Sequence, residues 1–159
     1  MTKYVTINEI NYPVYADLQD AEIYNNAIYG STWSSLDPTV QSQLLVESTR
    51  VIDSYKYIGE KQNPEQPLKF PRVTASGKVS DEQTLIDLCC QIANYIYKNG
   101  SSSSGGGDSS LLNGIESWQI GDVHLKLKSD AQIDLSGLDD YILKALEDWM
   151  ISSSMQIWL

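Results

Sequence analysis

Gln66-Pro67-Leu68-Lys69-Phe70-Pro71-Arg72 is the segment on which the reading of this 159-residue chain turns. Each proline fixes its own φ and biases the residue before it toward extended backbone, so Leu68 and Phe70 are held in defined positions. A loop this constrained is shaped to dock, either on the chain's own core or on a neighbouring subunit. Gln66, Leu68, Phe70, Pro71 and Arg72 are therefore candidates for an inter-subunit or core-locking contact.

Runs of helical period lie on both sides of it. Upstream, Asp37 can cap a helix whose first position is Pro38, where a missing N–H costs nothing. Val40, Leu44, Val51, Ile52 and Tyr55 form its apolar stripe, and Ser48 is small enough for close packing. Arg50 and Asp53 fall three apart and can pair weakly on its surface. An earlier helix is expected from about Leu18 to Tyr29, capped by Asp17, with Asp20 in its first turn and Gly30 stopping it. Tyr4 to Tyr15 mixes strand formers with Asn and Pro13 and reads as extended.

Downstream, a third helix should begin after Ser80, with Gln83 completing a capping box, and end at Gly100. Leu85, Leu88, Cys89, Ile92, Ala93 and Ile96 supply its apolar face; Cys90 is rotated off it. Residues 101–110 are Ser and Gly apart from Asp108, a composition that reads as a flexible coil spanning roughly 17 Å. No strand precedes its glycines and no Lys-Ser/Thr follows them, so a phosphate-binding loop is disfavoured.

Residues 115–128 read as a hairpin. With Gly121-Asp122 as the turn, Ile120 faces Val123, Trp118 faces Leu125 and Glu116 faces Leu127. Trp118, Ile120, Val123, Leu125 and Leu127 then share an apolar face, while Ser117, Gln119, His124, Lys126 and Lys128 share the other. A short hairpin needs a helix or a neighbouring subunit against its apolar face. A last helix should follow Ser136, with Asp139 and Asp140 at its positive end. Beyond it, residues 151–159 form an apolar tail after a serine hinge, suited to folding back onto the core or inserting into a partner. The expected architecture is mainly α: a small four-helix bundle with one β-hairpin between helices three and four. It forms a single domain over residues 1–150, with a C-terminal docking tail over 151–159.

Composition narrows the function. The formal charge is -10, from 21 acidic and 11 basic side chains, and the basic residues are scattered from Lys3 to Lys144. Such a surface repels nucleic acid unless basic residues cluster. Only Tyr55-Lys56-Tyr57 interleaves aromatic and basic residues in the manner of a single-strand stacking platform, and helix-end packing accounts for it equally well. The adjacent Cys89 and Cys90 give neither a disulfide framework nor a metal-ligand spacing. His124, the only histidine, lies on the polar face of the hairpin, and the acidic groups at helix starts read as dipole partners. No catalytic site, cofactor or metal is expected. The first residues lack a signal-peptide core and no run reaches transmembrane length, so a soluble, cytoplasmic chain is expected.

Leu45, Ser48-Thr49-Arg50-Val51-Ile52-Asp53, Gly59 and then Gln66-x-Leu68-x-Phe70-Pro71-Arg72 resemble tailed-phage head–tail adaptor (connector) proteins. Some members of that family carry the label DnaT-like single-stranded-DNA-binding protein. The resemblance covers most of the chain and is strongest from Trp33 to Arg72, followed by Ile92-Ala93-Asn94-Tyr95 and a hairpin with a central Gly. Phe70 stands where that family more often has Trp, and the Ser/Gly run is an insertion. The resemblance implies a structural virion protein at the head–tail junction, present in host cytoplasm during assembly. Its expected state is a homo-oligomeric ring, usually of twelve copies, beneath the portal protein and above a tail or stopper protein. Genomic DNA would pass through the lumen without sequence-specific binding and without membrane contact. Met155, Ile157, Trp158 and Leu159 are then the expected portal-binding anchors, and the apolar face of the hairpin an inter-subunit contact. The alternatives are a single-stranded-DNA-binding replication accessory and a tail completion protein.

Overall fold

The computed structural model describes residues 2–102, 115–119, 124–127 and 136–150. The chain opens with a hairpin in which β1 (Lys3–Ile7) pairs antiparallel with β2 (Ile10–Val14), Val5 opposite Tyr12 and Tyr4 opposite Pro13. Asn8 and Glu9 turn it, both at positive φ (50° and 68°). That is the handedness that matches the twist of paired strands. Val5, Ile7, Tyr12 and Val14 point inward and are buried, whereas Tyr4 faces out.

Two further pairings follow: β3 (Glu60–Lys61) with β4 (Arg72–Val73), and β5 (Ile115–Gln119) with β6 (His124–Leu127). The helices are α1 (Leu18–Asn26), α2 (Pro38–Asp53), α3 (Glu82–Ser102) and α4 (Ser136–Leu146), with 3-10 turns at Trp33–Ser35 and Glu147–Trp149. The expectation of a four-helix bundle carrying one hairpin is therefore corrected. Among the described residues four helices are interleaved with three two-stranded sheets, and the N-terminal hairpin is part of the core. The reason is local. Both strands of a two-stranded sheet are edges, where a Pro such as Pro13 is tolerated. Asn8-Glu9 also makes the turn without the glycine that usually signals one.

Helix starts follow their caps. Asp17 and Asp20 form a reciprocal capping box on α1, and Lys3 pairs with Asp20 at 2.6 Å, tying β1 to that helix. Asp37 accepts from the Thr39 N–H, with Pro38 at the first position of α2. At α3 the capping carboxylate is that of Asp81, which accepts from the Thr84 N–H, while Gln83 bonds Asp87 along the surface. The helix α1 stops three residues short of the expected Tyr29, which is fully exposed, and α3 continues past Gly100 to Ser102.

The core sits where α2 and α3 pack, under the N-terminal hairpin and beside α4. Leu44, Leu45 and Ile52 from α2 and Leu88 and Ile92 from α3 are all but fully buried. Ser48 lets the helices approach: its hydroxyl lies 3.0 Å from Cys89 Sγ. The hairpin is fastened to α2 by the Tyr15 N–H donating to Thr49 Oγ1 at 3.2 Å. Tyr95 of α3 and Tyr141 of α4 meet edge-on, with ring centroids 5.6 Å apart. Cys90 is buried as completely as Cys89, correcting its placement off the apolar face, and burial pushes both thiols up.

In the third pairing Trp118 faces Leu125 and Gln119 faces His124. An irregularity between Ile115 and Ser117 then brings Ile115, rather than Glu116, opposite Leu127. Ile120 and Val123 lie outside the described residues, as do most of the Ser/Gly segment 101–110 and the tail 151–159.

Candidate functional site

Residues 66–72 fold inward and gather four parts of the chain. Phe70 is 2 % exposed and meets three rings edge-on: Tyr57 at 4.6 Å, Trp149 at 6.0 Å and Tyr15 at 6.3 Å between centroids. This is the geometry that aromatic quadrupoles favour. Leu68 is buried beside it, and the Phe70–Pro71 peptide is cis. The buried Gln66 side chain braces the loop from within. Its amide nitrogen donates to the carbonyls of Leu68 (2.9 Å) and Pro71 (3.0 Å), and its oxygen accepts from the Asn63 N–H at 3.1 Å.

Arg72 closes the loop against the chain that leaves α2. Its guanidinium donates to the carbonyls of Gly59 (2.6 Å), Ile58 (2.8 Å), Lys69 (3.2 Å) and Tyr57 (3.4 Å). The fixed fork of five N–H groups suits this many acceptors; a lysine would reach fewer. The turn beneath it needs Gly59 at φ +78°, where an added Cβ would lie 2.6 Å from the Val73 carbonyl oxygen.

Asp53 joins α2 to the loop and to the N-terminal hairpin. Its carboxylate accepts from the Tyr15 hydroxyl and, at 3.3 Å, from the Lys69 N–H, while the Tyr15 oxygen accepts from the Phe70 N–H at 3.1 Å. Burial, reinforced by the Asp53 charge, pushes the Tyr15 hydroxyl far above its ordinary range, so it remains a donor. Lys69 Nζ donates to the Tyr55 carbonyl at 2.6 Å. The far end of the described chain reaches the same place. The Ile58 N–H donates to the Trp149 carbonyl at 2.8 Å, and Tyr57 bridges Met150.

Two carboxyls in this region titrate abnormally. Burial holds Asp53 above the usual carboxylate range against the pull of Tyr15 and Lys69, and burial does the same to Glu47 against Arg50. Each binds its proton more tightly folded than unfolded. Their ionisation therefore takes stability away as pH rises from the unfolded carboxyl range through the folded one, and acidification restores it. Lowering a net charge of -10 acts in the same direction. Thermal melts are expected to show Tm rising, or at least holding, between pH 7 and about 5. A steady fall across that window would contradict this assignment.

At least five of the eleven basic side chains make contacts within the fold. Lys3 pairs with Asp20, Lys61 Nζ donates to the Gln66 carbonyl, and Lys69 and Arg72 bond main-chain oxygens. Lys78 pairs with Asp148 at 2.7 Å and lies over the Trp149 ring. Among the described residues no three His, Cys, Asp or Glu side chains come together as a metal site, and no helix is long and apolar enough to cross a membrane.

Of the candidates named from the sequence, Gln66, Leu68, Phe70, Pro71 and Arg72 come together around the core. Trp118, Leu125 and Leu127 occupy paired strand positions, and Met155, Ile157, Trp158 and Leu159 lie outside the described residues. Tyr15, Asp53, Tyr57 and Trp149 were not legible as loop partners.

Beside the loop lies a cleft of about 260 Å³, walled by Val14, Leu68, Phe70, Pro71 and Leu85, with Val79 half-exposed at its lip. The fold and its contacts thus define a small α+β protein organised around a locked aromatic loop. A family described as "Putative DnaT-like ssDNA binding protein" matches residues 8–153, and the chain belongs to that family. No curated protein and no solved structure matches the chain.

Proposed function

We propose that this chain is a structural head–tail adaptor of a tailed phage: a ring-forming subunit placed under the portal, extending the DNA channel and joining head to tail. The observation that carries the reading is the use of charge. A chain with net charge -10 commits Lys3, Lys61, Lys69, Arg72 and Lys78 to contacts within its own fold. That suits a surface past which DNA must slide, because every phosphate contact would add affinity and friction. Residues 151–159, which carry no charged side chain, supply the docking element, with Met155, Ile157, Trp158 and Leu159 as anchors. Repeated around a ring, modest anchors give a stable joint. The hairpin carrying Trp118 and Leu125 supplies contacts between neighbours.

The test is electron microscopy of lysates from a phage in which this gene is interrupted. Filled heads and complete tails that never join are expected; joined particles would overturn the adaptor role. In vitro, removing Ile157–Leu159 should abolish attachment to the portal while leaving helicity unchanged.

The family description favours a second reading, a replication accessory that binds single-stranded DNA. That reading requires saturable binding of an oligothymidylate at roughly 150 mM salt, with an affinity that falls steeply as salt rises. Our reading expects no saturable binding there. A tail completion protein, the third possibility, would leave heads closed and tails unfinished in the same micrographs.

A further inference from the structure

The N-terminal hairpin has two outer edges, and they differ in what they offer a further strand. Asn8 and Glu9, both at positive φ, make a two-residue turn whose flanking pair, Ile7 and Ile10, exchanges both main-chain hydrogen bonds. Alternating back along the strands, Val5 with Tyr12 and Lys3 with Val14 are also bonded pairs. Thr6 with Asn11 and Tyr4 with Pro13 are the pairs between them, whose main-chain N–H and C=O groups point outward. Pro13, which has no N–H, falls in an outward position, as this parity requires.

The outer edge of β2 is thus blunted, because Pro13 leaves a gap where a donor would stand. The outer edge of β1 is unbroken and presents the N–H and C=O of Tyr4 and of Thr6. Among the described residues no turn, loop or side-chain hydrogen bond reaches those four groups. Tyr4 is 52 % exposed, and Thr6 is exposed with it. Such an edge is a template for another strand.

The spacing of the four groups points to the strand that fits. Run antiparallel to itself about Val5, β1 sets Tyr4 opposite Thr6 of the second copy, and Thr6 opposite its Tyr4. Both become bonded pairs, and the four outward groups of each strand are satisfied. The tyrosine ring then lies beside a threonine methyl, an aromatic–β-branched pair of the kind that stabilises sheets. Charge agrees. Two copies of a chain with net charge -10 repel on average, yet Lys3 is the one charged residue of β1. In this register the Lys3 end of each strand runs alongside the Glu9 turn of the other, so opposite charges meet twice.

We propose that the free chain forms a twofold dimer through β1, giving a four-stranded sheet in the order β2–β1–β1–β2. Its outer strands are the two blunted by Pro13, so the sheet ends there. The pairing is isologous and closes at two copies. It concerns the chain before any ring is built and does not rest on the adaptor reading.

The test is amide hydrogen exchange on the intact chain, read residue by residue by NMR from micromolar to millimolar concentration, with sedimentation reporting mass. At low concentration the Tyr4, Thr6 and Asn11 amides, all pointing outward, should exchange rapidly. As dimer forms, Tyr4 and Thr6 are expected to slow about tenfold or more, while Asn11, on the blunted edge, is unchanged. Thr6→Pro removes an outward N–H from each copy and no bond inside the hairpin. It should weaken the dimer about tenfold or more with unchanged circular dichroism. The exchange result stands on the unaltered chain whatever that variant does. A monomer throughout, or a dimer whose Tyr4 and Thr6 amides stay unprotected, would overturn the proposal. Protection already present in the monomer would also overturn it, giving the edge to the chain's own residues, as would slowing of Asn11 with the other two. Whether heads and tails join in the lysates bears on the adaptor reading alone.

Discussion

Phe70→Ala is expected to cost about 3–5 kcal/mol and to lower Tm by roughly 10 °C. The side chain is 2 % exposed, so the whole ring leaves a void rather than a solvated gap. The void cannot close by movement of one neighbour, because Tyr15, Tyr57 and Trp149 belong to three separated parts of the chain. Each edge-on contact adds ~0.5–1.5 kcal/mol beyond burial, which places this site at the upper end of large-to-small substitutions. Urea unfolding with near-ultraviolet circular dichroism measures it. A loss below ~1 kcal/mol, typical of an ordinary site, would mean that the loop is not what joins these elements.

Gly59→Ala should be nearly as damaging, and Gly30→Ala provides the internal comparison. Both glycines have left-handed backbones, φ +78° and +75°, and each alanine incurs ~1–2 kcal/mol for that conformation. At Gly30 nothing lies within 4 Å of the added Cβ. At Gly59 the Val73 carbonyl oxygen stands at 2.6 Å, and it is backbone, unable to rotate away. The β3–β4 pairing must then separate, or Arg72 must lose its hold on the Gly59 carbonyl. The crowding adds ~1–3 kcal/mol, so the Gly59 variant should melt several degrees below the Gly30 variant. Equal effects would show that the close approach can relax at little cost.

The helices were legible because their signals are local. Asp17 with Asp20, and Asp37 with Pro38, announce themselves within one turn, and the residues that bury Leu44, Leu88 and Ile92 recur at helical spacing. The Trp118–Leu125 register was legible for the same reason: the alternation of apolar and polar residues on both strands points to it. What failed was long-range or disguised. Pro13 and a turn of Asn8-Glu9 hid a hairpin, since both are permitted there without being the usual markers. The Tyr15–Asp53 contact spans 38 residues, and the Phe70–Trp149 contact spans about half of the chain; no periodicity reports on either. The fate of the lysines and of Arg72 was equally hidden, because main-chain carbonyls leave no trace in a sequence.

The bridge between Tyr57 and Met150, with the Ile58 N–H on the Trp149 carbonyl, sets where tension goes. A pull exerted beyond Met150 does not first unwind α4. It meets the main-chain pairing of residues 57–58 with 149–150, and behind it Tyr57 wedged on Phe70 and Arg72 bound to the carbonyls of residues 57–59. Drawn lengthwise, that pairing and the contacts behind it share the load; peeled sideways, they yield in turn. The direction of pull therefore decides how much strain the subunit bears before its middle gives way.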